Sequence, residues 1–161
     1  MKRMLMICAV AASPALAQDL NFDISGTQSC LGSMGDDGDK RQCIGVSTGN
    51  CMETTPGGYS TAGMGGCMDR ELTWWDGLLN QNYQRAMQRA KANDAENDGF
   101  GESQATSLRD MQRAWIPFRD AKCTFERSQW GVGTGGGPAT VSCLMYETAE
   151  QAMYLSEMAN Y

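Results

Sequence analysis

Cys30, Cys43, Cys51, Cys67, Cys123 and Cys143 have the most chemistry to offer in this chain. Thiols serve as metal ligands, as nucleophiles or as disulfide partners. Two of these roles fail on composition. The sequence contains no histidine and no Cys-x-x-Cys pair, so finger and ribbon zinc sites lack their ligands, and the Cys-His and Ser-His-Asp mechanisms lack their base. Three disulfides are the remaining use, in one of fifteen connectivities. A Cys30–Cys43 bridge would close a loop of about 14 residues and contribute about 3 kcal/mol on the chain-entropy argument.

The carboxylates suggest two further chemistries, and each falls short. Asp94-x-Glu96-x-Asp98-Gly99 opens like a calcium-binding loop, but its twelfth position, where a bidentate glutamate belongs, is Ala105. A solvated turn between helices is the expectation. Glu147 and Glu150 have the spacing of a carboxylate pair on a helix, as a hydrolase of glycosidase type would need, yet no neighbour in sequence separates their acidities. The run Gly131–Pro138 has no lysine, so it is no phosphate loop. It reads as a connector that can also carry a protruding recognition surface. Trp74 and Trp130 fall off the apolar stripes described below and are the candidate contact residues for a partner. The pattern calls for no catalytic residue, metal or cofactor.

These residues need elements to hold them. Lys2-Arg3, the apolar stretch Met4–Ala12 and the triplet Ala15-Leu16-Ala17 have the order of a secretory signal peptide cleaved near Ala17. The stretch is shorter than a membrane span, so no membrane insertion is expected. Cleavage removes Cys8, Lys2 and Arg3, which leaves six cysteines and moves the formal charge from −6 to about −8. Export to the periplasm, or secretion, fits disulfide formation. The acidity disfavours nucleic acid and favours a cationic protein partner.

Residues 18–66 are expected to be irregular, because Gly26–Gly66 holds eleven glycines and little periodic apolar sequence. The periodicity then predicts helices over about 67–92, 103–127 and 139–158. The first places Met68, Leu72, Trp75, Leu79, Tyr83, Ala86 and Ala90 on one face, with Arg70, Glu71, Asn80 and Gln84 toward water. The second carries Leu108, Met111, Trp115, Phe118 and Phe125, with Pro117 predicting a kink after Ala114. The third turns Val141, Leu144, Thr148, Ala152 and Leu155 inward. The expected fold is all-α: a disulfide-stapled antiparallel three-helix bundle of one domain, 18–161, preceded by a glycine-rich, cysteine-clamped segment. Cys67, Cys123 and Cys143 should meet at one pole, with Cys51 as the fourth member.

Cys67 followed by Asp76, Leu79-Asn80-x-x-Tyr83, then Gln112-x-x-Trp115-x-x-x-Arg119-Asp120-x-x-Cys123 and Cys143-x-x-x-x-Thr148 form a recognisable series. It resembles the N-terminal domain family of LprI-like lysozyme inhibitors, small secreted or periplasmic helical proteins with linked cysteines. The resemblance implies a lysozyme as the cationic partner. Family members often carry arginine at the position of Gln151, and Cys30 with the glycine-rich stretch lies beyond the common core. The motif residues are expected to be scaffold, with Arg119 bridging to Asp76 and with Gln112 and Asn80 bonding backbone or each other. On that expectation, recognition falls to the loops. An envelope structural or stress-associated interaction module is the alternative, and a carboxylate-dependent hydrolase the remote one.

Overall fold

A computed structural model describes residues 19–35, 38–98 and 100–160. The expected signal peptide lies outside the described residues, as do Asp36, Asp37 and Gly99. The described residues form five α-helices, a short 3-10 helix and no strand: α1 (Ser25–Ser33), the 3-10 helix Lys40–Cys43, α2 (Val46–Thr54), α3 (Thr61–Glu96), α4 (Gln104–Ser128) and α5 (Gly136–Asn160). Three disulfides link Cys30 to Cys43, Cys51 to Cys67 and Cys123 to Cys143.

The described residues of 18–66, expected to be irregular, therefore hold two α-helices and a 3-10 helix, and α3 starts six residues before Cys67. The glycines that suggested disorder are points of close approach. A Cβ on Gly63 would sit 2.4 Å from the Gly57 carbonyl oxygen, so only glycine lets the turn before α3 fold against its first residues. Ser60 caps α3 by accepting from the Gly63 amide at 3.0 Å. The start of the described chain is tied to the same turn, where Asn21 donates from its amide to Thr55 Oγ1 and from Nδ2 to the Thr54 carbonyl.

The principal core lies between α3 and α5, where Trp75, Leu79, Met145, Ala149, Ala152 and Leu155 are buried with Ile44. Three contacts give the relative direction of these helices. Thr48 Oγ1 touches both the Cys67 carbonyl and Met145 Sδ, Asn82 donates to the Ala152 carbonyl, and Ala90 shares a groove with Met158. Numbers rise together, so α3 and α5 run parallel, with α4 returning between them in sequence. Cys51–Cys67 and Cys123–Cys143 both lie toward the pole where α3 and α5 start and α4 finishes, as the order of the cysteines predicts.

Helix α4 packs more lightly. Only Gln112 and Cys123 are buried on it, with Leu108, Met111 and Trp115 half-buried against the core. Phe118 and Phe125, expected inside, are 61% and 64% exposed. The helical period carries both past the flank of the stripe that Trp115 centres. The helix continues through Pro117 without a break. Pro117 and Arg113 are both exposed, so water can reach the carbonyl that the proline leaves without a donor.

Glu71, placed on the wet face by its charge, is fully buried. Its Oε1 accepts from Thr27 Oγ1 (3.0 Å), the Gly45 amide (2.8 Å) and Trp75 Nε1 (3.1 Å), and its Oε2 accepts from the Thr48 amide (2.8 Å). The Thr27 hydroxyl also accepts from the Ser47 amide at 3.1 Å, so its proton is the one turned to Glu71. All four partners are donors, as an acceptor-only carboxylate requires. One buried side chain on α3 thus fixes α1, the start of α2 and the left-handed turn at Gly45 (φ 88°).

Candidate functional site

Sorting the motif residues by burial separates them into two groups. Leu79, Gln112 and Thr148 are buried, and Tyr83 and Trp115 are half-buried against the core. Asp76, Asn80 and Asp120 are exposed. The buried group packs within the helical core. Gln112 Oε1 accepts from Gln151 Nε2 at 2.9 Å, which joins α4 to α5 by a neutral amide pair where an arginine at 151 would bring a charge.

The expected Arg119–Asp76 bridge is absent. Arg119 instead pairs with its own neighbour, donating from Nε (3.0 Å) and Nη2 (2.8 Å) to Asp120 Oδ1, and its guanidinium lies 5.0 Å from the Trp115 ring centroid. Asp76 accepts from Asn80 Nδ2 at 3.1 Å, one turn along the same helix, so Asn80 does not meet Gln112. Neither Asp76 nor Asn80 belongs to the buried face. Their phase on α3 puts them beside the stripe, on the edge toward α4.

That edge is one wall of an open groove. Asp69, Thr73 and Asp76 line it from α3 and Arg119 from α4, with Leu72 and Leu144 between them, around a volume of about 260 Å³. Asp69 and Asp76 are both exposed, and among the described residues no lysine or arginine pairs with either. Asp69 has no place in the sequence motif. Its spacing of seven from Asp76, with Leu72 between them in phase, is the signal that could have found it.

The paired-carboxylate reading fails on geometry. Glu147 accepts from Lys122 Nζ at 2.6 Å, and that contact, with the acidic surroundings, holds the Lys122 ammonium above its usual value. Glu150 faces Arg41 at 3.7 Å. The two glutamates line different grooves, Glu147 beside Trp130 and Glu150 beside Lys40 and Arg41. Each is tied to its own cation, so they do not converge on one reacting bond.

The acidic turn acts as a cap. Asp94 accepts from Ser103 Oγ (2.7 Å) and from the amides of Gln104 (2.7 Å) and Ala105 (3.1 Å), and the Ser103 hydroxyl, then the Ala105 amide, hold its carboxyl below the ordinary range. Trp74 is half-buried against the core and meets Trp75 edge to face at 4.7 Å. Trp130 is 53% exposed, with Gly135 against its ring. Gly136 already opens α5, placing Pro138 in the first turn.

The geometry describes a disulfide-linked helical module with open surface grooves and with its candidate carboxylates individually paired or exposed. The profile of the family described as Lysozyme inhibitor LprI matches residues 51–155, and the chain belongs to that family. It is also similar to a Rhodobacter capsulatus protein described as an uncharacterized 17.7 kDa protein in the puhA 5' region, with 28% identity over 138 residues that cover 83% of this chain and 84% of the relative. No solved structure matches. The matched span begins at Cys51, so α1, the 3-10 helix and the Cys30–Cys43 bridge precede it.

Proposed function

We propose that the chain is an exported binding protein that inhibits a lysozyme in the periplasm or outside the cell. Membership of the lysozyme inhibitor family carries this reading. Three disulfides suit an oxidising compartment. A formal charge of about −8 for residues 18–161 favours fast encounter with a basic protein at low salt. The signal peptide at 1–17 supplies the route of export. No helix among the described residues is long and apolar enough to cross a membrane. Inhibition here is occlusion: a folded, rigid surface docks on the enzyme and keeps cell-wall substrate out.

The test is lysis of cell walls by chicken-type, goose-type and invertebrate-type lysozymes with oxidised protein 18–161 added over a salt series. Inhibition of one class, weakening as salt rises, is the expected result. Full lysis by all three classes with folded, disulfide-bonded protein would sink the reading.

A further inference from the structure

We propose that the groove between α3 and α4 is the partner-binding site, and that its occupant is a lysine or arginine side chain of the basic partner. The proposal rests on the inhibitor reading above and gives that reading a face.

Charge is the first argument. Asp69 and Asp76 stand two helical turns apart, about 10 Å along the axis of α3, and frame the groove without a cation of their own. The one cation in the groove, Arg119, is held by two hydrogen bonds to Asp120 and lies over Trp115, so its charge is already answered. Two uncompensated carboxylates remain above an apolar floor of Leu72 and Leu144. That combination matches the long apolar stem and charged head of a lysine or arginine.

The second argument is rigidity. The walls are helices rather than loops, and Arg119 is clamped on two sides, so little is left to order when a partner docks.

The experiment compares wild type, Asp69→Asn/Asp76→Asn and the charge-matched control Glu53→Gln/Glu157→Gln, whose exposed glutamates lie outside this groove. Calorimetry with chicken-type lysozyme at low salt gives Kd, lysis gives inhibition, and thermal melting checks the fold. The expected result is at least a tenfold rise in Kd for the aspartate variant and less than a threefold rise for the control. Thr73→Lys, which places a cation on the groove wall, gives the same loss and guards against misfolding of the double variant. Wild-type binding that the aspartate and Thr73→Lys variants retain within twofold overturns the groove while leaving the inhibitor reading intact. An equal loss in the glutamate control also overturns it, because net charge alone would then explain binding. Wild type that binds no chicken-type lysozyme overturns the proposal, and lysozymes of all three classes left unbound and uninhibited overturn the reading with it.

Discussion

The two ends of the long helices are held in different ways. Where α3 and α5 begin, Cys51–Cys67 and Cys123–Cys143 cross-link the elements, and Glu71 pins α1 and α2 through four buried hydrogen bonds. Among the described residues no disulfide lies where α3 and α5 end. Ala86 and Ala90 leave an open groove of about 460 Å³ toward Leu108, Met111, Tyr154 and Met158, and exposed contacts such as Asn93–Gln104 and Asp94–Ser103 close the turn. The contrast teaches where the stability is concentrated: the covalent links and the costliest buried polar group share one end, and the other end relies on small side chains and a cap. The proposed partner groove lies toward the first end, between Asp69 and Asp76 of α3, where rigidity favours binding.

Glu71→Leu is the largest test of that contrast. Leucine removes the acceptor for Thr27 Oγ1, Trp75 Nε1 and the amides of Gly45 and Thr48, all in a buried setting, so unfolding free energy should fall by about 4 kcal/mol. Glu71→Gln keeps the shape but turns an amide NH₂ toward at least one donor and should lose about half as much. Urea denaturation of the oxidised proteins measures both. A loss below about 1 kcal/mol for the leucine variant would remove Glu71 as the organiser of this end.

Glu71 also marks the limit of what the sequence discloses. The long helices and their apolar stripes are legible because Trp75, Leu79, Ala152 and Leu155 repeat at helical spacing, and the polar pole of cysteines follows from helix order. Glu71 falls four residues before Trp75, in phase with the buried face, but a lone charged residue reads as solvated until its donors are seen, and three of the four come from residues 27 to 48. The glycine-rich segment misleads for a related reason. Its order depends on long-range contacts, such as Asn21 against Thr55 and Thr27 against Glu71, that no local period encodes. At the candidate site, Asp76, Arg119 and Asp120 are visible as motif residues, whereas their outward placement and the addition of Asp69 depend on the phase at which α4 docks.

Between the two ends, Gln112 and Gln151 offer a finer probe. Gln151→Leu leaves Gln112 Oε1 buried without its donor and should cost about 1–2 kcal/mol. Adding Gln112→Leu removes the stranded amide and should recover most of that loss, giving a coupling of opposite sign to the single effects. Additive losses would mean that the amides act independently. At the open end, Ala90→Leu extends into the groove with Leu108 and Met111 and should raise stability by up to about 1 kcal/mol. A loss of about 1–3 kcal/mol, as in an overpacked interior, would show that this end is as tightly fitted as the other.

The smallest effect belongs to the cap. Asp94 is half-buried, and its carboxyl is held below the ordinary range by the Ser103 hydroxyl and the amides at the start of α4. A group whose pKa is lowered by folding stabilises the native state above its unfolded pKa, about 3.9, and loses that contribution as pH falls through the lower folded value. Asp94→Asn should therefore lower the melting temperature slightly at pH 7, with the gap to wild type closing below about pH 4. The same substitution should leave exchange of amides near Glu71 unchanged while speeding exchange in the first turn of α4, because the cap secures only the open end. A gap that persists at pH 2, or faster exchange that spreads to the cross-linked end, would mean that the two ends unfold as one unit and that the difference between them is confined to how each is bonded.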